Sequence, residues 1–415
     1  MPEIIILGTQ GTIDHTRPLL DHFGDRVKVE SDWRASVVAA SYPDLVITFD
    51  ESQSERGLCI SELARQNVAT LLVMDGIPEW RNTWSRARTG AGRPINQPVL
   101  SHKVACLGRA DARLYESWGN IGKCEVVGAP RFDQLVRAKR PARLAPVDGR
   151  PLRLLVMTAK MPGFTPQEVE ITLRSLKDLK DHLEQRVDIQ VVWRITQGLH
   201  QQLGVRNTFL EAVSQELHAL LGQVDAVITT PSTAMLEGML FGLPVALLDY
   251  HNCPHYIPAA WRITCGDQIA PVLADLRQVP LERMLYQDHC LQDALACKTP
   301  ALPRLIQLIE EMVRIRKQQI ANQPEQVLVF PHRILNDAED FITWPDEHFD
   351  LQKLYPNHPV FASKDLAALQ MELDAAVITI EQLKEQVNTL TGRLHRVPGY
   401  LAVKKLAKSL RRRFA

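Results

Sequence analysis

The chain lacks net charge: its 48 Lys and Arg balance 48 Asp and Glu across 415 residues. With no global field to attract phosphates, a nucleic-acid partner is not expected. It lacks any apolar run near the roughly 18 residues that a membrane-crossing helix needs. Met1-Pro-Glu-Ile-Ile-Ile-Leu7 lacks the basic start, long apolar stretch and small-residue cleavage site of a signal peptide, so none is expected. Cys-x-x-Cys pairs are missing too. The seven cysteines are odd in number and scattered, so reduced thiols in a cytoplasmic protein, with no zinc site, are the simplest expectation. A Gly-x-Gly-x-x-Gly fingerprint is also absent. What is present is ordinary soluble composition, 45% hydrophobic and 23% charged, in a chain too long for one core.

Apolar, β-branched runs end repeatedly in polar or Gly-rich turns. Glu3 to Leu7 is followed by Gly8-Thr-Gln-Gly11-Thr12 and a helix from about Thr16 to Phe23. Asp44 to Phe49 ends in Asp50 and Glu51, and Ala69 to Met74 ends in Asp75-Gly-Ile-Pro-Glu-Trp80. Lys103 to Leu107 and Cys124 to Val127 are further strands, with a helix near Ala110 to Trp118 between them. A Pro-rich, basic stretch over 136–152 reads as a linker. A second series follows, with strands Leu152 to Met157 and Ile189 to Trp193, a helix over Gln167 to Arg186 between them, and a helix over Ala301 to Gln319. Strands alternating with helices predict parallel, doubly wound sheets, which bind ligands beyond the carboxyl ends of their strands.

The stretch Asp225 to Asp249 is the most informative. Ala226 to Thr229 reads as a buried strand, Thr230-Pro-Ser-Thr233 as a hydroxyl-rich turn, Ala234 to Phe241 as a helix ended by Gly242, and Pro244 to Leu248 as the next strand. Backbone N–H groups and hydroxyls at a helix start suit a phosphate. Glu237, one turn on, could accept hydrogen bonds from ribose hydroxyls. An ordinary helix cap with a solvated Glu237 accounts for the same residues.

Beyond residue 362 the character changes. Leu369, Leu373, Ala376, Ile380, Leu383, Val387, Leu390 and Leu394 alternate spacings of four and three, a heptad seam that predicts a coiled coil. Pro398-Gly399 breaks it. Val403, Leu406, Leu410 and Phe414 then share one helical face among six Lys and Arg, and no acidic residue follows Glu385. That layout predicts a helix lying in a membrane surface.

Val127-Gly-Ala-Pro-Arg131-Phe-Asp133 resembles the G-x-P-R-x-D segment of bacterial surface-carbohydrate and teichoic-acid polymer transferases. Asp225 to Pro244, with Ser232, Thr233 and Glu237, resembles the nucleotide-binding segment of those enzymes and of the UDP-N-acetylglucosamine 2-epimerases. The resemblance, over roughly residues 1–325, is to GT-B glycosyltransferases. It implies an α/β GT-B fold of two Rossmann-like domains facing a cleft: an acceptor domain over 1–140 and a nucleotide-sugar domain over 150–325. A connecting segment over 326–362, the coiled coil over 363–397 and the basic helix over 398–415 complete the chain. The implied activity is sugar transfer, without cofactor or metal, from a nucleotide-sugar donor to a lipid-linked glycan acceptor. The donor's diphosphate would lie on Ser232 and Thr233, with its ribose on Glu237. CDP-glycerol polymer transferases carry His before Gly after the third strand, where this chain has Asp75-Gly76. They carry His-Pro where this chain has Arg194-Ile195, so sugar transfer is expected over glycerophosphate transfer. An epimerase of the same fold, a polyol-phosphate polymer transferase and a non-catalytic coiled-coil scaffold are the alternatives.

Such a reaction needs charge stabilisation of the leaving phosphate and a base for the acceptor hydroxyl. Thr230, Ser232, Thr233, Lys160 and Arg194 are the candidates for the first, with Arg131 either a third cation or a partner that locks a turn through Asp133. Asp75 is the candidate base, on the argument that burial beside Gly76 raises its pKa. His15, Asp50 and Glu51 stand in reserve. Gly11, Thr12, His15 and Trp80 are candidates on the acceptor side, Trp80 and Trp84 by stacking on a sugar, although aromatic residues more often belong to a core. His251 and His255 carry too little to suggest a metal. Self-association through 366–394 and attachment through 399–415 to the inner face of the cell membrane complete the expectations.

Overall fold

The computed structural model describes residues 2–8, 10–52, 54–85, 95–138, 150–196, 198–206 and 217–335, with four isolated positions between 380 and 386. The expected coiled coil and basic helix lie outside the described residues. So does most of the connecting segment.

The first sheet contains β1 (Ile4–Leu7), β2 (Val27–Glu30), β3 (Leu45–Thr48), β4 (Ala69–Val73), β5 (Lys103–Cys106) and β6 (Cys124–Val126). Their order is β2-β1-β3-β4-β5-β6, and every pairing is parallel. Four of these strands bury every residue, as runs without alternation should when helices cover both faces. The helices on this sheet are α1 (Gln10–Phe23), α2 (Ala35–Ala39), α3 (Ser54–Arg65) and α4 (Arg109–Ser117).

The second sheet contains β7 (Leu152–Met157), β8 (Ile189–Arg194), β9 (Ala226–Thr229), β10 (Val245–Leu248) and β11 (Trp261–Ile263), in the parallel order β11-β10-β9-β7-β8. Helix α5 (Asp133–Ala138), whose Leu135 packs with Leu155 and Met157, covers this sheet together with α6 (Pro166–Glu184), α7 (Leu199–Leu203), α8 (Leu217–Leu221), α9 (Ala234–Leu240), α10 (Ile269–Gln278) and α11 (Leu281–Ala294), and α12 (Ala301–Asn322) follows them in the chain. Helix α6 begins as a reciprocal capping box, in which Thr165 and Glu168 each satisfy the other's backbone N–H. The strand order reverses between β7 and β9, so the favoured binding position is above their carboxyl ends.

The domain limits need two corrections: by packing, the chain first changes domain between Val127 and Ala129 rather than in the 136–152 stretch. Helix α12 does not finish the second domain at 325. Leu305, Leu308, Ile309, Met312 and Val313 pack with Ile4, Leu45 and Leu71 in the core of the first sheet, and Leu328 and Leu335 continue there. A buried ion pair holds this returning segment: Lys103 Nζ reaches Glu125 Oε1 at 2.7 Å and the His332 carbonyl at 3.0 Å, while Glu125 accepts from the backbone of Ile334 and Leu335. The chain after α11 therefore belongs to the first domain by packing.

Candidate functional site

Hydroxyls cross-link the switch point of the second sheet. Thr230 Oγ1 accepts from Ala159 N at 2.8 Å, joining the ends of β9 and β7. Thr158 and Thr196 hydroxyls meet at 2.8 Å, joining β7 and β8. Thr230 is buried, whereas Ser232 and Thr233 are half-buried. The Ser232 hydroxyl lies 3.4 Å from that of Thr229. Lys160, in the turn after β7, is exposed.

The ordinary-cap alternative does not describe this turn. Thr233 precedes α9 in an α-region conformation, and its side chain does not cap that helix. Its Oγ1 instead accepts from the backbone N–H of Ile77, in the turn after β4, at 3.1 Å. Gly76 permits the approach, since a Cβ there would stand 3.0 Å from that hydroxyl. Nor is Glu237 solvated. Its carboxylate is 15% exposed and meets His218 Nε2 at 2.9 Å. Burial pulls the Arg194 guanidinium down from its usual value, and the nearby Glu237 charge offsets part of that. The structure thus gathers Glu237 and Arg194 close to the hydroxyl turn, together with His218, which sequence reasoning missed.

On the first domain several expectations fail. Asp75 is exposed, so the burial invoked for a base is absent. Asp50 accepts from Ser52 N at 2.8 Å and pairs with Arg56 at 2.7 Å, serving as a local brace. Glu51 is 1% exposed and accepts from Leu100 N, Ser101 N and the Ser101 hydroxyl, clamping the approach to β5. Trp80 is 2% exposed and stacks within an aromatic cluster, 5.7 Å from Trp84 and 6.0 Å from Tyr256, so it presents no open face to a sugar. Trp84 donates its indole N–H to the Tyr256 hydroxyl at 3.0 Å. Gly11, Thr12 and His15 lie on the first turns of α1, with their side chains outside the described residues.

The Val127–Asp133 motif is structural here. Gly128 has φ +93°, and a Cβ there would meet the Ala296 carbonyl oxygen at 2.9 Å. Asp133 accepts from the N–H groups of Ala301 and Leu302, capping α12 at 2.6 and 3.0 Å. No Arg131–Asp133 pair forms among the described residues; the Arg131 guanidinium lies 4.6 Å from the centre of the Phe132 ring.

A second cluster, unread as a unit in the sequence, lies past β10. Arg81 opens a π-helical turn, Arg81–Ser85, is 3% exposed and pairs with Glu79 at 2.6 Å. It also donates to the Pro162 carbonyl at 3.3 Å, reaching the second domain. Asp249 is 3% exposed at the end of β10, and its Oδ2 lies 3.2 Å from His255 Nε2, out of line for a full hydrogen bond. Burial alone would push this carboxyl up, but His255, Arg81 and His251 outweigh it and hold it below its usual value. His251 faces elsewhere, with Nε2 at 3.2 Å from the Thr172 hydroxyl, and burial followed by Arg81 pulls it down to about 4. The two histidines therefore do not converge on one point.

No family model matches the chain, and no curated protein matches it. Solved structures do. The S. aureus MnaA–UDP complex covers 76% of this chain and 97% of its own, with 13% identity and a TM-score of 0.50. The wall teichoic acid polymerase TagF covers 79% of this chain and 91% of its own, with 12% identity and a TM-score of 0.43. The UDP-GlcNAc 2-epimerase from Neisseria meningitidis, bound to UDP-GlcNAc, covers 75% and 100%, with 11% identity and a TM-score of 0.45. At such identities the likeness is one of fold, and the MnaA superposition is the one that carries weight. Two parallel, doubly wound sheets in one chain, superposing on such a structure along nearly its whole length, make this a GT-B fold of two Rossmann-like domains.

Proposed function

We propose that the protein is a glycosyltransferase that moves a sugar from a nucleotide-sugar donor to a lipid-linked glycan acceptor in bacterial surface polysaccharide assembly. The observation that supports this most is the grouping of Glu237 and Arg194 near the hydroxyl turn of the second sheet. In this reading Ser232, Thr233 and the backbone at the start of α9 hold the diphosphate. Thr230 shapes the turn from below, while Lys160 and Arg194 supply positive charge to the leaving phosphate. Glu237 takes the ribose hydroxyls, with His218 fixing its orientation. The heptad seam over 366–394 joins copies of the chain, and residues 399–415 hold the enzyme on the inner face of the cell membrane, beside its acceptor.

The test is a panel of nucleotide sugars incubated with the full-length protein, with nucleotide release and the released sugar both followed. UDP-sugars come first, because the MnaA structure was captured with UDP. Transfer gives nucleotide and a glycosylated acceptor. An epimerase gives a changed sugar nucleotide, and a scaffold gives neither.

A further inference from the structure

We propose that His255, whose Nε2 faces the buried Asp249 carboxylate, accepts the proton of the attacking hydroxyl. The inference rests on the glycosyl-transfer reading above and replaces Asp75 in it. Three observations carry it. First, Asp249 ends β10, which pairs with β9 in a register that sets Leu247 opposite Thr229, so the Asp249–His255 pair stands beside the hydroxyl turn. Second, His255 turns Nε2 towards Asp249 at 3.2 Å, and among the described residues no hydrogen bond occupies Nδ1. With the ring hydrogen on Nε2, facing the carboxylate, Nδ1 carries the lone pair a base needs. Third, His255 lines a cavity of about 20 Å³ together with Pro231 of the turn, Met235 of α9, and Glu79 and Trp80 of the first domain. That space admits one oxygen-sized group between the two domains.

The rival groups are less suited. Asp75 is exposed. His251 is too weak a base at neutral pH, with its Nε2 committed to Thr172. The charged and titratable groups around the pair include Glu79, Arg81, Glu168, His251, Cys253 and Tyr256.

In the step, the acceptor oxygen bonds to the anomeric carbon as its proton passes to Nδ1 of His255. The bond from that carbon to the donor's phosphate oxygen breaks, and its electron pair leaves on the nucleotide. The imidazolium so formed faces Asp249, whose charge stabilises it. His255 is thus a catalytic residue and Asp249 a positioning residue.

The experiment uses full-length protein and a panel of nucleotide sugars, with nucleotide release and nucleotide affinity measured side by side. His255→Gln should bind UDP, or whichever nucleotide the wild type binds, within about twofold, while release falls about 100-fold or more. Imidazole in solution should restore part of the release in His255→Ala. Asp249→Asn should slow release while nucleotide affinity stays within about twofold of wild type, since the imidazolium formed in the step loses its counter-charge. If Asp249→Asn does not fold, His255→Gln and the imidazole rescue decide alone. Release by His255→Gln within about threefold of wild type, or a loss confined to Asp75→Asn, overturns the assignment while leaving the transfer reading intact. Weakened nucleotide binding by His255→Gln overturns it in favour of a donor-binding role. If the wild type releases nucleotide from no donor, both readings fall together.

Discussion

Removing the Glu237 carboxylate tests the donor site most directly. The group is 15% exposed, and Oε2 meets His218 at 2.9 Å, while Oε1 makes no hydrogen bond among the described residues. A ribose hydroxyl on Oε1 would make one charge-assisted hydrogen bond, about 1.5–3 kcal/mol. Glu237→Ala loses all of it, so nucleotide affinity should fall about 10- to 100-fold. Glu237→Gln keeps the volume and an acceptor oxygen but loses the charge. Roughly half the bond strength should survive, and affinity should fall only about fivefold. Ser232→Ala, which removes a hydroxyl from the diphosphate side, should cost about as much as a neutral hydrogen bond, roughly 1 kcal/mol. Calorimetry with a nucleoside diphosphate reads all three, with the unfolding midpoint as the control for folding. The ranking Ala below Gln below wild type is the signature. Unchanged affinity in both Glu237→Ala and Ser232→Ala would refute the donor-site reasoning.

Lys103→Met should lower stability by about 3–5 kcal/mol, because it strands the buried Glu125 carboxylate; a denaturation midpoint equal to wild type would show that the pair contributes little. Asp225, 5% exposed, is held at about 2: burial would push it up, but hydrogen bonds from Arg150 and from Arg153 outweigh that. Its folded pKa is depressed, so its contribution is present above the unfolded value and is lost as pH falls from about 4 towards 2. With Arg150 and Arg153 about 40% exposed, that loss should be about 1 kcal/mol, read as the difference between acid unfolding of wild type and of Asp225→Asn. Full-length protein should pellet with anionic liposomes, less so at high salt, and a chain ending at residue 398 should stay in solution; if both stay in solution, a protein partner is indicated instead. Light scattering should show an oligomer for the full chain and a monomer for a chain ending near residue 360, and equal states for the two would remove the seam's role.

The two-sheet architecture was legible because buried parallel strands are continuous apolar runs that end in turns, and Ala226–Thr229 and Leu152–Met157 were read to the residue. Strand β2, Val-Lys-Val-Glu, escaped because it lies at the sheet edge, half-buried, and alternates with charge. Strand β11 has only three residues. Helix α12 was found, but its amphipathic face does not say which sheet it covers. At the site, Glu237 was legible because helical spacing sets it one turn from the hydroxyls. Its partner His218 comes from another helix, and no local pattern links the two. The same holds for Asp249 and His255. Both were in view, but their pairing depends on the turn through Asn252, whose φ is +50°. Trp80 was misplaced because an aromatic residue beside a strand end reads alike whether it faces a sugar or other rings.

The Asp133 cap has a mechanical consequence. By packing, the backbone passes between the two domains twice, once just before α5 and once between α11 and α12. Asp133 begins the helix that follows the first passage, and its carboxylate accepts from the start of the helix that follows the second. One side chain therefore fastens both passages together. Two bodies joined by a single strand can twist freely, whereas two passages pinned side by side leave mainly rotation about the pin. Opening that separates Ile77 from Thr233 would then swing about Asp133 like a door on one jamb. A weaker pin, as in Asp133→Asn, would loosen the axis and blur the alignment of the two halves without touching any group that meets a substrate.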